Sequence, residues 1–206
     1  MVQPELGWYE ERPEPRAPRD VAFYIAAAGE ALRDNALDEA IDHAEHAVAL
    51  CRADGAHPPE AIGRMRLVQA IALRWLGHYA DSERCAFEAT ETLPARSPGW
   101  YAALGHLAIL GGYLGKNERF PWILAELSAI EALQGDAAVP APHLVASCRL
   151  SISLVRAGLV ERASRTLAAA RAARINDPRL RRSFLDHIPE NARTPALAAR
   201  YPPARS

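Results

Sequence analysis

Apolar and small residues recur at spacings of three and four along residues 35–50, and this periodicity predicts an amphipathic helix. The stripe consists of Leu37, Ala40, Ile41, Ala44, Ala47 and Val48. A second helical run covers residues 21–33, and only a short polar turn at Asp34 and Asn35 separates the two runs. Such a turn is typical of two antiparallel helices. The two runs therefore predict one helical hairpin.

The rest of the chain repeats this pattern and predicts three further hairpins. We expect their helices at residues 60–76, 81–93, 100–114, 118–133, 143–156 and 160–173. Helix-ending residues separate the runs, including Asp54-Gly55 and Gly158. Asp177 and Pro178 then form an N-cap followed by proline at the first helical position, which predicts one more helix. The pattern as a whole indicates an all-α protein of paired helices.

The turn and second helix of each hairpin resemble the tetratricopeptide repeat (TPR), which typically reads Gly-x-Tyr-x-x-Ala-x-x-x-Phe-x-x-Ala. The residues in the corresponding register are Asn35, Leu37, Ala40, Ala44 and Ala47; Gly77, Tyr79, Ser82, Ala86 and Ala89; Gly115, Asn117, Phe120, Leu124 and Leu127; and Gly158, Val160, Ala163, Leu167 and Ala170. The third hairpin departs most from the pattern, because it lacks the usual aromatic and small residues and has Pro121 in the first turn of its second helix.

The resemblance covers residues 20–175 and implies an α-α superhelix, a solenoid of about four TPR-like helical hairpins. The repeat spacings are 42, 38 and 43 residues, measured between Ala40, Ser82, Phe120 and Ala163. A standard TPR is about 34 residues long. Extra helical turns or longer loops must account for the difference.

The chain divides into three parts. Residues 1–19 hold four prolines and many charges, and we expect them to form a disordered, Pro-rich lead. Residues 20–176 form the TPR-like helical array. Residues 177–206 would supply a capping helix, which covers the face that a further repeat would otherwise bury, and a flexible tail. Residues 181–198 also resemble the closing segment of TPR arrays in large bacterial signalling proteins, including kinase and ATPase fusions.

The composition of the 206-residue chain indicates a globular protein, because half of its residues are hydrophobic and can form a continuous core. The formal net charge of -1 argues against nucleic acid or an anionic membrane as a partner. Lys116 is the only lysine among 24 basic residues, which we attribute to coding bias. The three cysteines show no CxxC spacing, and the N-terminal residues lack the blocks of a secretory signal. With no apolar run near the roughly 20 residues that span a bilayer, we expect a cytoplasmic protein.

No motif in the sequence supports catalysis or cofactor binding. HExxH, GxGxxG, GxxxxGK[ST] and GxSxG are absent, and the spacing of Ser, His and Asp selects no triad. His43 and His46 lie on one helix face and could ligate a metal, but no third ligand lies nearby in the sequence. The glycine-rich residues 111–115 end a predicted helix and do not join a strand to a helix, as a phosphate-binding loop would. We therefore expect a non-enzymatic protein without metal or cofactor.

Stacked hairpins curve, and the first helix of each pair lines the concave side. On that side, the predicted partner-binding residues are Arg33, Arg64, Arg74, Trp75, His106, Tyr113 and Arg156, with Leu67, Ile71, Ile109, Cys148 and Ile152 as further candidates. Such a surface suits an extended or helical peptide with acidic groups, because arginines pair carboxylates and the rings of Trp75 and Tyr113 take apolar side chains. The alternative is that both aromatic residues pack within the hairpins and that the arginines form a solvated rim.

Three hypotheses of function follow. The leading one is a non-catalytic protein-protein interaction module or adaptor, which binds a peptide or protein partner on the concave face of the TPR array. The second is an effector-sensing or self-association domain that regulates a bacterial kinase, ATPase or transcription factor. This hypothesis allows the chain to form a homo-oligomer. The third is an enzyme with a hidden histidine-based metal centre.

Overall fold

The computed structural model describes residues 20–134, 140–172, 174–175 and 177–187, and within them it contains helices and no β-strand. The predicted all-helical class is thereby confirmed. The helices are α1 (Val21–Arg33), α2 (Leu37–Asp54), α3 (Pro59–Trp75), α4 (Tyr79–Thr92), α5 (Pro98–Leu114), α6 (Phe120–Gln134), α7 (Ala141–Arg156), α8 (Val160–Ala172) and α9 (Pro178–His187). None of the described helices has the length and apolar character needed to cross a membrane. The expected lead at residues 1–19 and the tail at residues 188–206 lie outside the described residues.

Helix ends lie close to the positions expected from the sequence, because local caps set them. Asp20 Oδ1 accepts a hydrogen bond from the Phe23 amide at 2.8 Å and caps α1. Asp177 Oδ1 accepts from the Arg179 amide at 2.7 Å at the start of α9. Gly55 ends α2 with a φ of 64°, in the left-handed region that other side chains disfavour.

Each helix packs against the next, and the odd-numbered helices also pack side by side. The sequential contacts join α1 to α2, α2 to α3, α3 to α4, α4 to α5 and α7 to α8. In addition, α1 contacts α3, α3 contacts α5, and α5 contacts α7 extensively. Helix α6 packs more lightly, against α5 and α7. Helices α1, α3, α5 and α7 therefore form one layer, against which α2, α4 and α8 pack.

The core changes in character along the chain. Between α1, α2 and α3 the buried residues are mostly alanines, namely Ala28, Ala31, Ala40, Ala44, Ala47 and Ala72, together with Val48 and Met65. Around α5 the buried side chains are large, and they include Tyr101, Leu104, Leu107, Phe120, Ile123, Leu150 and Leu154. Small residues suit close packing of the first three helices, whereas bulky side chains fill most of the core around α5.

Glycines on α5 mark its closest contacts with neighbouring helices. A Cβ atom on Gly111 would lie 3.0 Å from a ring carbon of Phe120 on α6. A Cβ atom on Gly105 would lie 2.9 Å from Cδ of Arg149 on α7. Glycine inside a helix costs about 1 kcal/mol relative to alanine, and this close approach is the reason for glycine at both positions.

A buried arginine connects α2, α3 and α4. Arg66 on α3 is 5% exposed. Its Nη1 donates to Glu45 Oε2 on α2 at 2.9 Å, and its Nε lies 2.8 Å from Glu88 Oε2 on α4. Gln69 Nε2 donates to the same oxygen of Glu45 at 2.7 Å, and this hydrogen bond, assisted by the charge of Arg66, lowers the pKa of Glu45. The three helices are therefore linked by ion pairs of Arg66 as well as by apolar packing.

A buried carboxylate holds the connection between α5 and α6. Glu83 on α4 is 5% exposed and forms ion pairs with Lys116 and Arg119. The distance from Arg119 Nε to Glu83 Oε1 is 3.0 Å. Lys116 precedes the short 3-10 turn Asn117–Arg119, and Arg119 is the last residue of this turn before α6. Helix α4 thereby helps to position the start of α6, together with the buried side chains of Phe120 and Ile123.

Candidate partner-binding site

Four of the predicted partner-binding residues lie at the ends of helices that pack side by side. Arg74 and Trp75 end α3, Tyr113 lies in the last turn of α5, and Arg156 ends α7. Contacts between these residues and their neighbours show that the three helix ends lie together. Arg156 contacts Tyr113, and the charge of Arg74 acts on Arg149 of α7. We call the surface at these three helix ends the α3-α5-α7 surface.

Tyr113 is the residue at which the helix ends meet. Its ring stacks on Tyr79, the first residue of α4, with the ring centroids 4.8 Å apart and the planes inclined by 7°. The guanidinium of Arg156 lies 5.2 Å from the centroid of the Tyr113 ring, a distance at which a ring attracts a cation. Tyr113 is nevertheless 46% exposed. Its ring thus contributes to packing and remains partly accessible to a partner.

Trp75 presents an exposed aromatic ring at the end of α3. It is 64% exposed, more than any other large hydrophobic residue in the described part of the chain. The guanidinium of Arg74 lies 4.5 Å from its ring centroid. Tryptophan and arginine are both enriched at the centres of protein interfaces. This pair therefore has the composition of a binding surface.

Helix α7 extends this surface with apolar side chains. Val145, Ile152 and Val155 are each about half exposed, and Cys148 is exposed. Their spacings of three and four place these residues on one helix face, which we call the α7 stripe. The other apolar candidates from the sequence, Leu67, Ile71 and Ile109, are half-buried.

His106 is not on the surface, where the sequence analysis had placed it. Its side chain is 3% exposed, and its buried Nδ1 has no hydrogen-bond partner among the described residues. Burial, followed by the positive charges of Arg149 and Arg74, lowers the pKa of His106 from 6.5 to about 3. The imidazole is therefore neutral at pH 7. It is buried because α3 and α7 flank α5 on both sides.

Arg149 on α7 belongs to the same group, and the sequence analysis missed it. Its side chain is half-buried and packs against Gly105. Burial and the charge of Arg74 lower the pKa of Arg149. No carboxylate in the described part of the chain forms an ion pair with Arg74 or Arg149. The available signal was the spacing of seven residues between Arg149 and Arg156, which places both on one face of α7.

Arg33 and Arg64 lie apart from this group. Both side chains are largely exposed, and each is paired with a glutamate on its own helix. Arg33 Nη2 lies 4.0 Å from Glu30 Oε1, and Arg64 Nη2 lies 2.6 Å from Glu60 Oε1. Exposed pairs of this kind contribute little to stability. The environment of these two arginines is that of a solvated rim.

His43 and His46 pack against aromatic residues of α1. The ring of His46 stacks on Tyr24 with the centroids 5.1 Å apart, and its Nδ1 lies 2.8 Å from the carbonyl oxygen of Asp42. His43 lies against Phe23 and Tyr24. Within the described ranges, no group of three or more His, Cys, Asp and Glu side chains could hold a metal ion. Both histidines therefore have contacts that hairpin packing explains.

Comparison of the chain with protein-family models, curated proteins and solved structures gave no match. The resemblance to the TPR therefore rests on the turn and helix residues quoted above. Function has to be inferred from the α3-α5-α7 surface.

Proposed function

We propose that this chain is a non-catalytic, TPR-like interaction module that binds an acidic peptide segment of a protein partner on the α3-α5-α7 surface. One observation carries the proposal: Arg74 and Arg149, which we call the arginine pair, lie beside neutral His106 and lack a carboxylate partner among the described residues. Exposed aromatic and apolar side chains on the same three helices support it.

The arginine pair has an electrostatic reason to bind an anion. The two guanidinium groups are close enough for each charge to act on His106, and for the charge of Arg74 to lower the pKa of Arg149. Partly buried charge without a counter-charge raises the free energy of the folded protein. Arg74 Nε is also buried without a hydrogen-bond acceptor. A carboxylate from a partner would neutralise part of this charge and accept bidentate hydrogen bonds.

The surroundings of the arginine pair favour a peptide over a small free anion. Trp75 and Tyr113 expose aromatic rings, and the α7 stripe exposes aliphatic side chains. An apolar surface of this kind, next to a charged centre, is typical of protein interfaces. The peptide would place an acidic residue at the arginine pair and apolar residues on the rings and the α7 stripe.

The packing of the odd-numbered helices supports the TPR-like part of the proposal. In a stack of helical hairpins, the first helices of successive repeats lie side by side and line one surface. The contacts of α1 with α3, α3 with α5, and α5 with α7 follow this order. Helix α9 packs on α8, as a cap would.

Matched peptides test the proposal by fluorescence anisotropy. The acidic probe is fluorescein-Gly-Glu-Leu-Leu-Glu-Gly-NH2, and its control carries glutamine in place of both glutamates. We expect the acidic peptide to bind about 10-fold or more tightly, because a hydrogen bond to a charged group contributes about 1.5–3 kcal/mol. The double variant Arg74→Gln/Arg149→Gln should lose this preference.

The matched control is Arg165→Gln, which removes an exposed guanidinium on α8. It should bind the acidic peptide as the wild type does. Equal affinity of the wild type for both peptides would refute the acidic partner. An unchanged preference in the double variant would refute the arginine pair as the binding site. Circular dichroism of each variant shows whether the fold is retained.

A further inference from the structure

A cleft of about 610 Å³ lies between α4, the start of α5 and α6, and it is separate from the α3-α5-α7 surface. Three aromatic and three acidic residues dominate its lining, namely Phe87, Trp100, Trp122, Glu91, Glu118 and Glu126. None of the residues of the α3-α5-α7 surface contributes to it. Its chemistry is also opposite, since that surface presents arginines and this cleft presents carboxylates.

The aromatic residues form walls that stay partly open to solvent. Phe87 on α4 and Trp122 on α6 are 38% and 39% exposed. Their ring centroids lie 6.2 Å apart, with the planes inclined by 44°. Trp100, at the start of α5, is buried and lies beneath them in the lining. The two rings therefore present partly exposed aromatic surface to the cleft, one from α4 and one from α6.

The carboxylates at the cleft lack counter-charges. Glu91, Glu118 and Glu126 form no ion pair with any residue in the described ranges. Glu91 lies in the last turn of α4, which contains no basic residue. The negative end of the helix dipole lies there, so that a carboxylate is unfavourable and a cation is favoured. The charge at the cleft is therefore complementary to a positively charged group.

The cleft already holds one guanidinium against an aromatic ring. Cζ of Arg119 lies 5.5 Å from the ring centroid of Phe87, within the distance at which a ring attracts a cation. Arg119 also forms an ion pair with Glu83 on α4, and this carboxylate compensates its positive charge. Tryptophan attracts cations more strongly than phenylalanine does, and among the described residues no guanidinium lies over the ring of Trp122. The volume of the cleft lies in the range of about 300–1,000 Å³ that is typical of ligand pockets and exceeds the need of a single ion.

We propose that this cleft binds an arginine side chain of a basic peptide segment in a partner protein. The guanidinium would stack on Trp122 and pair with Glu91 and Glu126, while the flanking peptide backbone occupies the rest of the cleft. This site would act independently of the acidic-peptide site.

The test uses the tripeptide Ac-Gly-Arg-Gly-NH2 and its citrulline analogue, which keeps the shape of arginine and removes the charge. Each is titrated into the full-length, ¹⁵N-labelled chain, and the indole N–H signals are followed by NMR. The signal of Trp122 is assigned from its absence in Trp122→Phe. We expect the arginine peptide to shift this signal and to bind about 3-fold or more tightly than the citrulline peptide.

Two double substitutions distinguish the effect of the carboxylates at the cleft from the effect of the net charge of the protein. Glu91→Gln/Glu126→Gln should weaken binding of the arginine peptide by about 3-fold or more. Asp38→Asn/Glu39→Gln makes the same change in net charge at exposed positions of α2 and should leave binding unchanged. An equal loss in both double variants would overturn the proposal, because net charge alone would then explain the binding.

Three other outcomes would also overturn it. The first is equal affinity for the arginine and citrulline peptides, and the second is no shift of the Trp122 signal by either peptide. The third is a shift caused by higher protein concentration alone, which would identify a second copy of the chain as the occupant. The indole signal of Trp75 is the internal control in the same spectra, because the arginine peptide should leave it unshifted. The acidic-peptide proposal is tested by the separate anisotropy experiment, so that failure of one proposal is distinguished from failure of the other.

Discussion

The buried imidazole of His106 predicts a specific dependence of stability on pH. The group is 3% exposed, and its pKa in the folded protein is about 3, compared with 6.5 for an unperturbed histidine. Between these two values the unfolded chain binds a proton that the folded chain does not bind. The free energy of unfolding therefore falls as the pH is lowered through this range. The stability that depends on a neutral His106 is fully present only above the pKa that this residue has in the unfolded chain.

The size of the effect follows from the two pKa values. One pKa unit corresponds to about 1.4 kcal/mol, so His106 should remove about 2 kcal/mol of stability at pH 5 and about 3 kcal/mol at pH 4, relative to pH 7.5. Below about pH 3 the folded state is protonated as well and the loss levels off. His106→Leu removes the titrating group and keeps an apolar side chain of similar size in the core.

Urea unfolding followed by circular dichroism at pH 7.5 and pH 5 measures this difference. We expect the wild type to lose about 2 kcal/mol more than His106→Leu does between the two values. His78→Gln, which removes an exposed histidine in the turn before α4, is the control and should keep the dependence of the wild type. Equal losses in the wild type and His106→Leu would refute the burial of a neutral imidazole at this position.

Two further predictions concern the helices around the cleft. Phe120→Ala should lower the free energy of unfolding in urea by about 3–5 kcal/mol. Phe120, at the start of α6, is 1% exposed and packs against Gly111 of α5. Phe87→Ala, at a partly exposed position, is the control and should cost much less. Glu83→Gln should lower stability by about 1–3 kcal/mol, since Lys116 and Arg119 lose their shared carboxylate; a thermal midpoint equal to that of the wild type would contradict this role.

Helix positions could be predicted because they depend on residues close in sequence. The spacing of apolar residues predicts each helix, and a cap such as Asp20 acts on an amide three residues away. Gly55 and Pro178 also act through their own backbone geometry. None of these effects needs a distant partner. This is why the expected helices are present in the structure and most of their ends lie within about two residues of the predicted positions.

Exposure on a given helix face could not be predicted in the same way. His106 and Tyr113 are seven residues apart on α5 and share one face, yet they are 3% and 46% exposed. Arg149, which packs against Gly105, lies beside His106, whereas Tyr113 lies at the end of the helix. The covering residue comes from a helix more than forty positions away, and no local pattern specifies that contact. The cleft at Trp122 was missed for the same reason, since three separate elements line it.

Arg66 and Arg74, both on α3, show most clearly what local sequence determines and what tertiary packing decides. The sequence alone places both residues on the same predicted helix, and both carry the same charge. In the folded protein Arg66 is neutralised, because α2 and α4 bring Glu45 and Glu88 to it. Arg74 meets the like charge of Arg149 instead. Local sequence determines where a charge lies on its helix, but only the packing of other helices decides whether a carboxylate of the described chain neutralises that charge.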